Sequence, residues 1–438
     1  MSSTFESNLP VNHPLSETSN SAPQFLVGLD LVFSGASGYC IFDFVTNQLL
    51  ECDLLDTGDR GSSQVAEKIK RGKSLFNKLA HIAIHFPKAY WIIETTDWIN
   101  KAMPQRERET LKSLALARGI AFAAALIYQT ALPFTMGVNE VRDQVMRHQT
   151  SKRAQFEYIR LQYQLHSLAD SEANMNITDA IALSEAFKRL LQLPSNSPHY
   201  KQFIDYRLSK AAQAYRNHQS AVADQLGSRK ALHSLPAPGT LNFDLASLKL
   251  DNHLTQAYRI DLRPQGERWA AIDISSANPG CVVYDRREND HPSVVFHHTF
   301  SLDRPQPDRK KAKTAYEIAV ASNILRAIAI LKSIFNIHGI VFEYSDWHRS
   351  GKGLEFQKDR SSIDSLFFSY GNLLASAYQY NLELVGVNAL DAKNSLTGNK
   401  NAKKVDVKSI TDQTYPFLRN EHTRDAAGLM LVVHGKKA

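Results

Sequence analysis

A glutamate at the end of an apolar stretch occurs twice in this chain. Residues 91–98 read WIIETTDW and residues 340–347 read IVFEYSDW, which places Glu94 and Glu343 249 positions apart (343 − 94). Short runs of apolar and β-branched residues predict buried strands. A carboxylate on such a strand is costly to bury unless a cation or hydrogen-bond donors stabilise its charge. The repetition therefore indicates a chemical role for both glutamates.

Two further acids accompany each glutamate in the same order. Asp30 and Asp273 end the apolar stretches FLVGLD and RWAAID, whereas Asp179 and Asp425 lie at the start of the helix-like stretches TDAIALSEAF and RDAAGLMLVV. The first Asp precedes the Glu by 64 residues in one half and by 70 in the other, and the second Asp follows it by 85 and 82. This agreement in order, residue type and spacing predicts a tandem duplication.

The predicted elements around these acids also repeat. Each half begins with a β-hairpin pattern, in which two apolar strands flank a turn rich in Ser, Gly, Ala and Asn. A long helix-like tract follows the glutamate strand, and another apolar strand and a basic segment come next. These four elements occupy 25–45, 108–130, 131–138 and 147–155 in the first half, and 268–285, 361–381, 382–388 and 396–408 in the second.

Carboxylates that meet at one edge of a sheet repel one another, and burial raises their pKa values further. Divalent cations relieve this repulsion, and hard oxygen ligands favour Mg²⁺ or Mn²⁺ over zinc. Two such ions a few ångströms apart activate a water and stabilise the leaving oxygen of a phosphodiester. The alternative is that the acids only cap helices and turns.

Composition limits the other function classes. The 438 residues are 43% hydrophobic and 22% charged, which is typical of a protein with two or three packed domains. No run approaches 18 consecutive apolar residues, so no membrane partner is predicted. Three cysteines without a C-x-x-C pair predict neither a zinc cluster nor a disulfide framework, and favour a reducing compartment. The net charge of +7 is compatible with a polyanionic partner such as nucleic acid.

Four regions are predicted along the chain. The first 24 residues contain no Lys or Arg and are rich in Ser, Asn and Pro, so that they predict a disordered tail rather than a signal or transit peptide. The remaining boundaries follow the two halves and the polar, turn-rich stretch between them. The prediction is a tail (1–24), a first domain (25–192), a helical and turn-rich linker (193–267) and a second domain (268–438).

Both halves resemble the RuvC family of Holliday-junction resolvases, within the RNase H-like superfamily. In the first half, VGLDLVFSGASGY, WIIE, LALARGIAFAAAL and TDAIALSEAF are similar to the family's first strand and turn, glutamate strand, central helix and closing helix. In the second half, AAIDISSANPG, IVFE, GNKNAKKVDV and HTRDAAGLML occupy the same places. The resemblance covers about 30–190 and 268–435. It implies an α/β fold of two tandem RNase H-like domains, each a mixed five-stranded sheet flanked by helices.

The resemblance implies two Mg²⁺ ions, or Mn²⁺, at each competent site. The implied metal ligands and catalytic residues are Asp30, Glu94 and Asp179 in the first half, and Asp273, Glu343 and Asp425 in the second. The family's penultimate ligand falls on His422 in the second half, which is expected to help bind or activate the water, and on the neutral Asn176 in the first. We therefore expect the second site to be the stronger one.

The resemblance further implies that branched DNA is the partner, bound in the cytoplasm in association with the nucleoid. One chain would act as a built-in pseudo-dimer, or as a homodimer. Trp98 and Trp347 either pack under the site loops or stack on an unpaired base. Basic residues near the sites would contact phosphates without reading sequence, and these are Lys152, Arg153, Lys400, Lys403 and Lys404.

Two functions of other classes stay open from the sequence. An actin-like ATPase is also built from two RNase H-like halves, and its phosphate turns would fall on LVFSGASG and ISSANPG. A catalytically inactive nucleic-acid-binding subunit of a recombination or transposition assembly is the other alternative, and the neutral Asn176 supports it.

Overall fold

A computed structural model describes most of both halves of the chain. The described residues are 23–33, 35–57, 65–95, 105–128, 131–146, 151–220, 266–274, 279–286, 291–299, 312–344 and 360–435. Trp98, Trp347, nearly all of the predicted tail and the greater part of the predicted linker lie outside these residues.

The described strands form two five-stranded sheets with the same plan. The first sheet has the order β3-β2-β1-β4-β5 and the second the order β10-β9-β6-β7-β8. In the first, β2 is antiparallel to β1 and β3, whereas β1, β4 and β5 run parallel. The second sheet repeats this pairing. The strands are β1 (Phe25–Asp30), β2 (Ala36–Asp43), β3 (Leu49–Asp56), β4 (Ala89–Thr95), β5 (Ala131–Gly137), β6 (Arg268–Asp273), β7 (Gly280–Asp285), β8 (Ser293–Thr299), β9 (Gly339–Tyr344) and β10 (Glu383–Asn388).

Helices follow the strands in the same order in both halves, with a long helix before the glutamate strand and another after it. A three-residue α6 continues as a π-helix (Lys201–Leu208) and then as α7 over 209–220. The other helices are α1 (Val65–His85), α2 (Gln105–Tyr128), α3 (Val138–Met146), α4 (Lys152–Gln162), α5 (Glu172–Leu191), α6 (Pro198–Tyr200), α8 (Lys313–Phe335), α9 (Arg360–Gln379), α10 (Ala389–Thr397), α11 (Lys404–Thr414) and α12 (Glu421–His434).

The chain divides into two compact units. The first consists of the described parts of Met1–Ser62, Lys70–Gln219 and Arg304–Ser322, and the second of the described parts of Ser63–Ile69, Ser220–Asp303 and Asn323–Ala438. The domain boundaries at 25–192, 193–267 and 268–438 stay a prediction. The predicted fold class is confirmed, because each half has a mixed five-stranded sheet flanked by helices, the architecture expected of an α/β RNase H-like domain.

Nearly every side chain is buried in β1, β4, β5, β6 and β9, as in strands covered by helices on both faces, whereas β10 is more exposed. In β4 all residues are buried except Glu94, and in β9 all except Glu343. Because β1 and β4 run parallel, as do β6 and β9, the carboxyl ends of each pair meet at one edge of the sheet. The apolar strands thus place the two glutamates beside the ends of β1 and β6.

Among the described residues, two helices are long and apolar enough to span a membrane, over Thr110–Tyr128 and Lys313–Phe335. Their most apolar windows are 78% and 56% buried by the rest of the protein. Core helices of α/β domains meet the same length and hydropathy criteria, and the burial of both helices agrees with that role.

Candidate active sites

Each site begins with a close contact between a strand and the start of a helix. Asp30 pairs across the sheet with Gly38, and Asp273 pairs with Gly280. A Cβ atom on Gly38 would lie 2.0 Å from a backbone oxygen at the start of α5, and one on Gly280 would lie 2.2 Å from the His422 carbonyl oxygen at the start of α12. Only glycine permits this approach, which brings the first turn of each helix to the end of the first strand.

In the first unit, the two strand carboxyls lie side by side. Leu29 is in register with Ile93, so that the next residues, Asp30 and Glu94, follow at the ends of neighbouring strands. Burial, with repulsion from Asp179, raises the pKa of Asp30 to about 7. Burial also raises the pKa of Glu94 well above its ordinary value, and both Asp30 and Asp179 add to this. Both strand carboxyls of this unit therefore disfavour their charged forms.

The helix acid of the first unit is held by a lysine and an amide. Lys152, the first residue of α4, places Nζ 2.8 Å from Asp179 Oδ2 and 3.1 Å from Asn176 Oδ1. Gln155 Nε2 donates to Asp179 Oδ1 at 2.7 Å, and Asn176 Nδ2 donates to the Ala36 carbonyl oxygen at 2.7 Å. The helix acid is therefore neutralised from inside the protein.

The charges of this cluster depend on one another. Burial disfavours the ammonium of Lys152, but attraction to Asp179, Asp30 and Glu94 outweighs it and raises the pKa of the lysine. Burial raises the pKa of Asp179, and the contacts with Lys152 and Gln155 oppose that rise. The first site thus combines three acids with the ammonium of Lys152.

The second unit repeats the arrangement with a histidine. His422 Nδ1 lies 3.0 Å from Asp273 Oδ2. Burial raises the pKa of Asp273, the hydrogen bond from His422 opposes this, and repulsion from Asp425 adds to it. Burial and repulsion from Asp273 and Asp425 raise the pKa of Glu343 to about 7. Both strand acids of the second site therefore also disfavour their charged forms.

The lysine of the second site lies at the same structural position as that of the first. Lys404, the first residue of α11, places Nζ 2.9 Å from Asp425 Oδ2 and also pairs with Glu421. Its side chain is 61% exposed, against 41% for Lys152. Burial disfavours its charge, but the hydrogen bonds and the attraction of the two carboxylates together raise the pKa of Lys404. The second site is thus the more open of the two at its lysine.

The predicted DNA-contact residues separate into two groups. Lys152 and Lys404 lie at the acids themselves. Arg153 instead pairs with Asp170 at 2.8 Å, and its side chain is 74% exposed. Lys400 is exposed in the turn before α11. Lys403, the residue directly before the first residue of α11, is also exposed. All five stay candidates for phosphate contact.

Two residues of the sites were not predicted from the sequence. Gln155 is buried against Asp179, and Glu421 pairs with Lys404. The sequence signal for Gln155 is its place three residues after Lys152, which puts both on one face of α4. The sequence signal for Glu421 is its place directly before His422. Neither the spacing of Gln155 nor the position of Glu421 identifies a site residue unless the fold is known.

The fit of a divalent cation follows from these contacts. Within the described residues, no group of three or more His, Cys, Asp or Glu side chains is close enough to hold a metal ion. Asp179 and Asp425 instead form salt bridges with Lys152 and Lys404. In donor chemistry the clusters do fit Mg²⁺ or Mn²⁺, because their ligands are hard oxygens whose mutual repulsion a cation would relieve.

The chain has distant similarity to known proteins. No protein-family model matches the chain, and no curated protein sequence matches it. Among solved structures, Thermus thermophilus RuvC in complex with a Holliday junction substrate has 14% identity and a TM-score of 0.31, covering 38% of this chain and 92% of RuvC. A second T. thermophilus RuvC structure has 15% identity and a TM-score of 0.29, with the same coverage. Similarity at this level assigns no activity to the chain.

Proposed function

We propose that the protein is a metal-dependent, structure-selective endonuclease that cuts branched DNA. One observation carries the proposal. In each unit, two strand carboxyls with raised pKa values lie at one sheet edge together with a helix acid and a lysine. Clusters of perturbed carboxyls of this kind occur preferentially at catalytic and cation-binding sites.

The chain's own residues have distinct tasks in this proposal. A bound divalent cation would supply a Lewis acid and a water of lowered pKa. Asp273 and Glu343 would hold it in the second unit, as would Asp30 and Glu94 in the first. His422 is oriented by Asp273 through Nδ1, so that proton transfer would use its Nε2 atom.

The two lysines would exchange partners when the substrate binds. Lys404 pairs with Asp425 in the protein alone, and a phosphate of the DNA would compete for its ammonium. Release of Asp425 would then add a third oxygen ligand for the cation. The same exchange at Lys152 would release Asp179 in the first unit.

The two sites differ in strength in this proposal. Asn176 carries no charge and already bonds Lys152 and the Ala36 carbonyl oxygen, whereas His422 bonds a strand acid. We therefore assign the faster cleavage to the second site. The chain would act as a pseudo-dimer in which each unit cuts one strand at a different rate.

The test is cleavage of a synthetic four-way junction with Mg²⁺, compared with linear duplex of the same sequence and with Ca²⁺ in place of Mg²⁺. Glu343→Gln and Asp273→Asn should each abolish the faster cut, and Glu94→Gln the slower one. Matched Glu383→Gln, at an exposed residue, should cut like the parent. Unchanged cutting by Glu343→Gln would refute the second site as catalytic.

One observation favours a second function. Both helix acids already have a lysine partner, so part of each cluster's negative charge is neutralised without metal, as in an inactive DNA-binding subunit of a recombination or transposition assembly. Junction binding by the parent chain without cutting in Mg²⁺ or Mn²⁺ would favour that function.

Residues 34 and 275–278, in the turns that an actin-like ATPase would use, lie outside the described residues. Nucleotide binding without DNA would favour the ATPase.

A further inference from the structure

Two short segments lie in a compact unit other than that of their own repeat. Residues 313–322, at the start of α8, follow the second repeat's hairpin in sequence but belong to the first unit. Residues 65–69, at the start of α1, follow the first repeat's hairpin but belong to the second unit. Each segment begins the helix that precedes its own repeat's glutamate strand, so the exchange is reciprocal.

In the first unit, the exchanged segment bonds the residue that follows Glu94. Lys313 Nζ donates to Thr95 Oγ1 at 2.8 Å, and Arg118 Nη1 donates to the same oxygen at 3.4 Å. Arg118 Nη2 lies 3.2 Å from Glu317 Oε1 in an ion pair that is almost entirely buried. The last residue of β4 is thereby fixed from two sides.

The same segment also bonds the neighbouring strand. Thr314 Oγ1 lies 2.8 Å from Thr135 Oγ1 and accepts the Thr135 backbone N–H at 3.3 Å. Thr135 is in register with Ile93, the residue before Glu94. Residues 313–322 therefore contact both the residue after Glu94, on the same strand, and the residue of β5 that pairs with the one before it.

In the second unit, the exchanged segment meets the residue that follows Glu343. Lys68 Nζ lies 4.9 Å from the ring centroid of Tyr344, within the range of a cation–π interaction. Tyr378 Oη donates to the Ile69 carbonyl oxygen at 2.5 Å, which holds the same turn of α1. The lysine therefore occupies the place that Lys313 has in the first unit.

This segment likewise reaches the neighbouring strand. A Cβ atom on Gly386 would lie 2.4 Å from Val65 Cγ1, so that the start of α1 packs directly on β10. Gly386 is in register with Phe342, the residue before Glu343. The contacts thus repeat strand for strand, since β9 and β10 correspond to β4 and β5.

We propose that each catalytic glutamate strand is positioned by the other repeat, with Lys313 as the positioning residue for Glu94 and Lys68 for Glu343. Both lysines act through the residue after the glutamate and touch neither metal nor substrate. A cation site tolerates misplacement of well under an ångström, so anchoring the adjacent residue fixes the carboxyl. The catalytic meaning of the glutamates rests on the proposed function, whereas the exchange of segments does not.

Amide hydrogen exchange of the full chain, measured by mass spectrometry, tests whether each repeat positions the other's glutamate strand, and it does not require enzymatic activity. Lys313→Met should speed exchange in 89–95 about fivefold, the change expected for loss of one hydrogen bond, and leave 339–344 unchanged. Lys68→Met should speed hydrogen exchange in 339–344 and leave 89–95 unchanged. Lys313→Arg should restore protection, because it keeps a donor for Thr95. Lys70→Met, at an exposed residue of α1, is the matched control.

The proposal would be overturned if hydrogen exchange became faster only in the glutamate strand of the repeat that contains the substituted lysine. It would also be overturned if neither strand changed. Cleavage gives the second readout. In a Glu343→Gln chain, which retains only the first site, Lys313→Met should lower kcat about tenfold with KM unchanged, and Lys313→Arg should recover it. Suppose each substitution speeds hydrogen exchange in the glutamate strand of the other repeat, but the parent chain does not cut DNA. That result would uphold the positioning of the strands and refute the proposed nuclease activity.

Discussion

Replacing Glu343 with glutamine should stabilise the second unit at high pH when no divalent cation is present. The pKa of this carboxyl rises from 4.5 in the unfolded chain to about 7 in the folded unit, because of burial and the neighbouring acids Asp273 and Asp425. Each tenfold change in proton affinity corresponds to about 1.4 kcal/mol. The ionised glutamate therefore costs the folded unit about 3 kcal/mol above pH 7.

The sign of the pH dependence follows from linkage. Between pH 4.5 and 7 the folded unit holds a proton that the unfolded chain releases, so stability falls as pH rises through this window. Below pH 4.5 both states are protonated and the cost disappears. Glu343→Gln, which cannot ionise, should match the parent at pH 4.5 and exceed it by about 3 kcal/mol at pH 8.

Urea unfolding in EDTA at the two pH values measures this difference. Because the chain has two units, the transition must be followed with a probe in the second unit rather than as a single two-state curve. Glu383→Gln, at an exposed position, is the matched control and should show no pH-dependent gain. Equal effects of Glu343→Gln at both pH values, or destabilisation at pH 8, would refute the electrostatic reasoning.

Three further outcomes are expected. Glu317→Gln should lower the free energy of unfolding by about 3 kcal/mol, because it leaves a buried arginine without its carboxylate; a loss below about 1 kcal/mol in urea unfolding would contradict this. Gly280→Ala should destabilise by several kcal/mol, since its Cβ would lie 2.2 Å from a backbone oxygen, whereas Gly398→Ala, with open space around it, should cost about 1 kcal/mol in thermal unfolding. Asn176→His should tighten Mn²⁺ binding at the first site and His422→Asn should weaken it at the second, each about tenfold by calorimetric titration; no change in either would contradict the proposed difference between the sites.

The fold class could be predicted because its signal is local. Apolar runs of strand length, repeated in the same order, predicted four strands in each half, and the family resemblance implied a mixed five-stranded sheet, which the strand pairing confirms. The position of Glu94 at the carboxyl end of a buried strand followed from the same pattern. Alternation and spacing suffice for such features, because each is set by neighbours in sequence.

The contacts of Lys152 and Lys404 could not be predicted in the same way. Their basic segments indicated phosphate binding, but the salt bridges to Asp179 and Asp425 depend on how a helix start packs across the sheet edge. The placement of residues 313–322 in the first unit is also a matter of long-range packing. Whether the acids are metal ligands stays a prediction, because the geometry brings them together without closing them around a cation.

Mn²⁺ binding to the parent chain and to a Glu94→Gln, Glu343→Gln double variant, followed by electron paramagnetic resonance, tests the central claim most directly. The proposal predicts bound Mn²⁺ in the parent at both units and loss of that binding in the double variant, with Mg²⁺ competing. Equal Mn²⁺ binding by both chains, or none by the parent with junction DNA present, would contradict it.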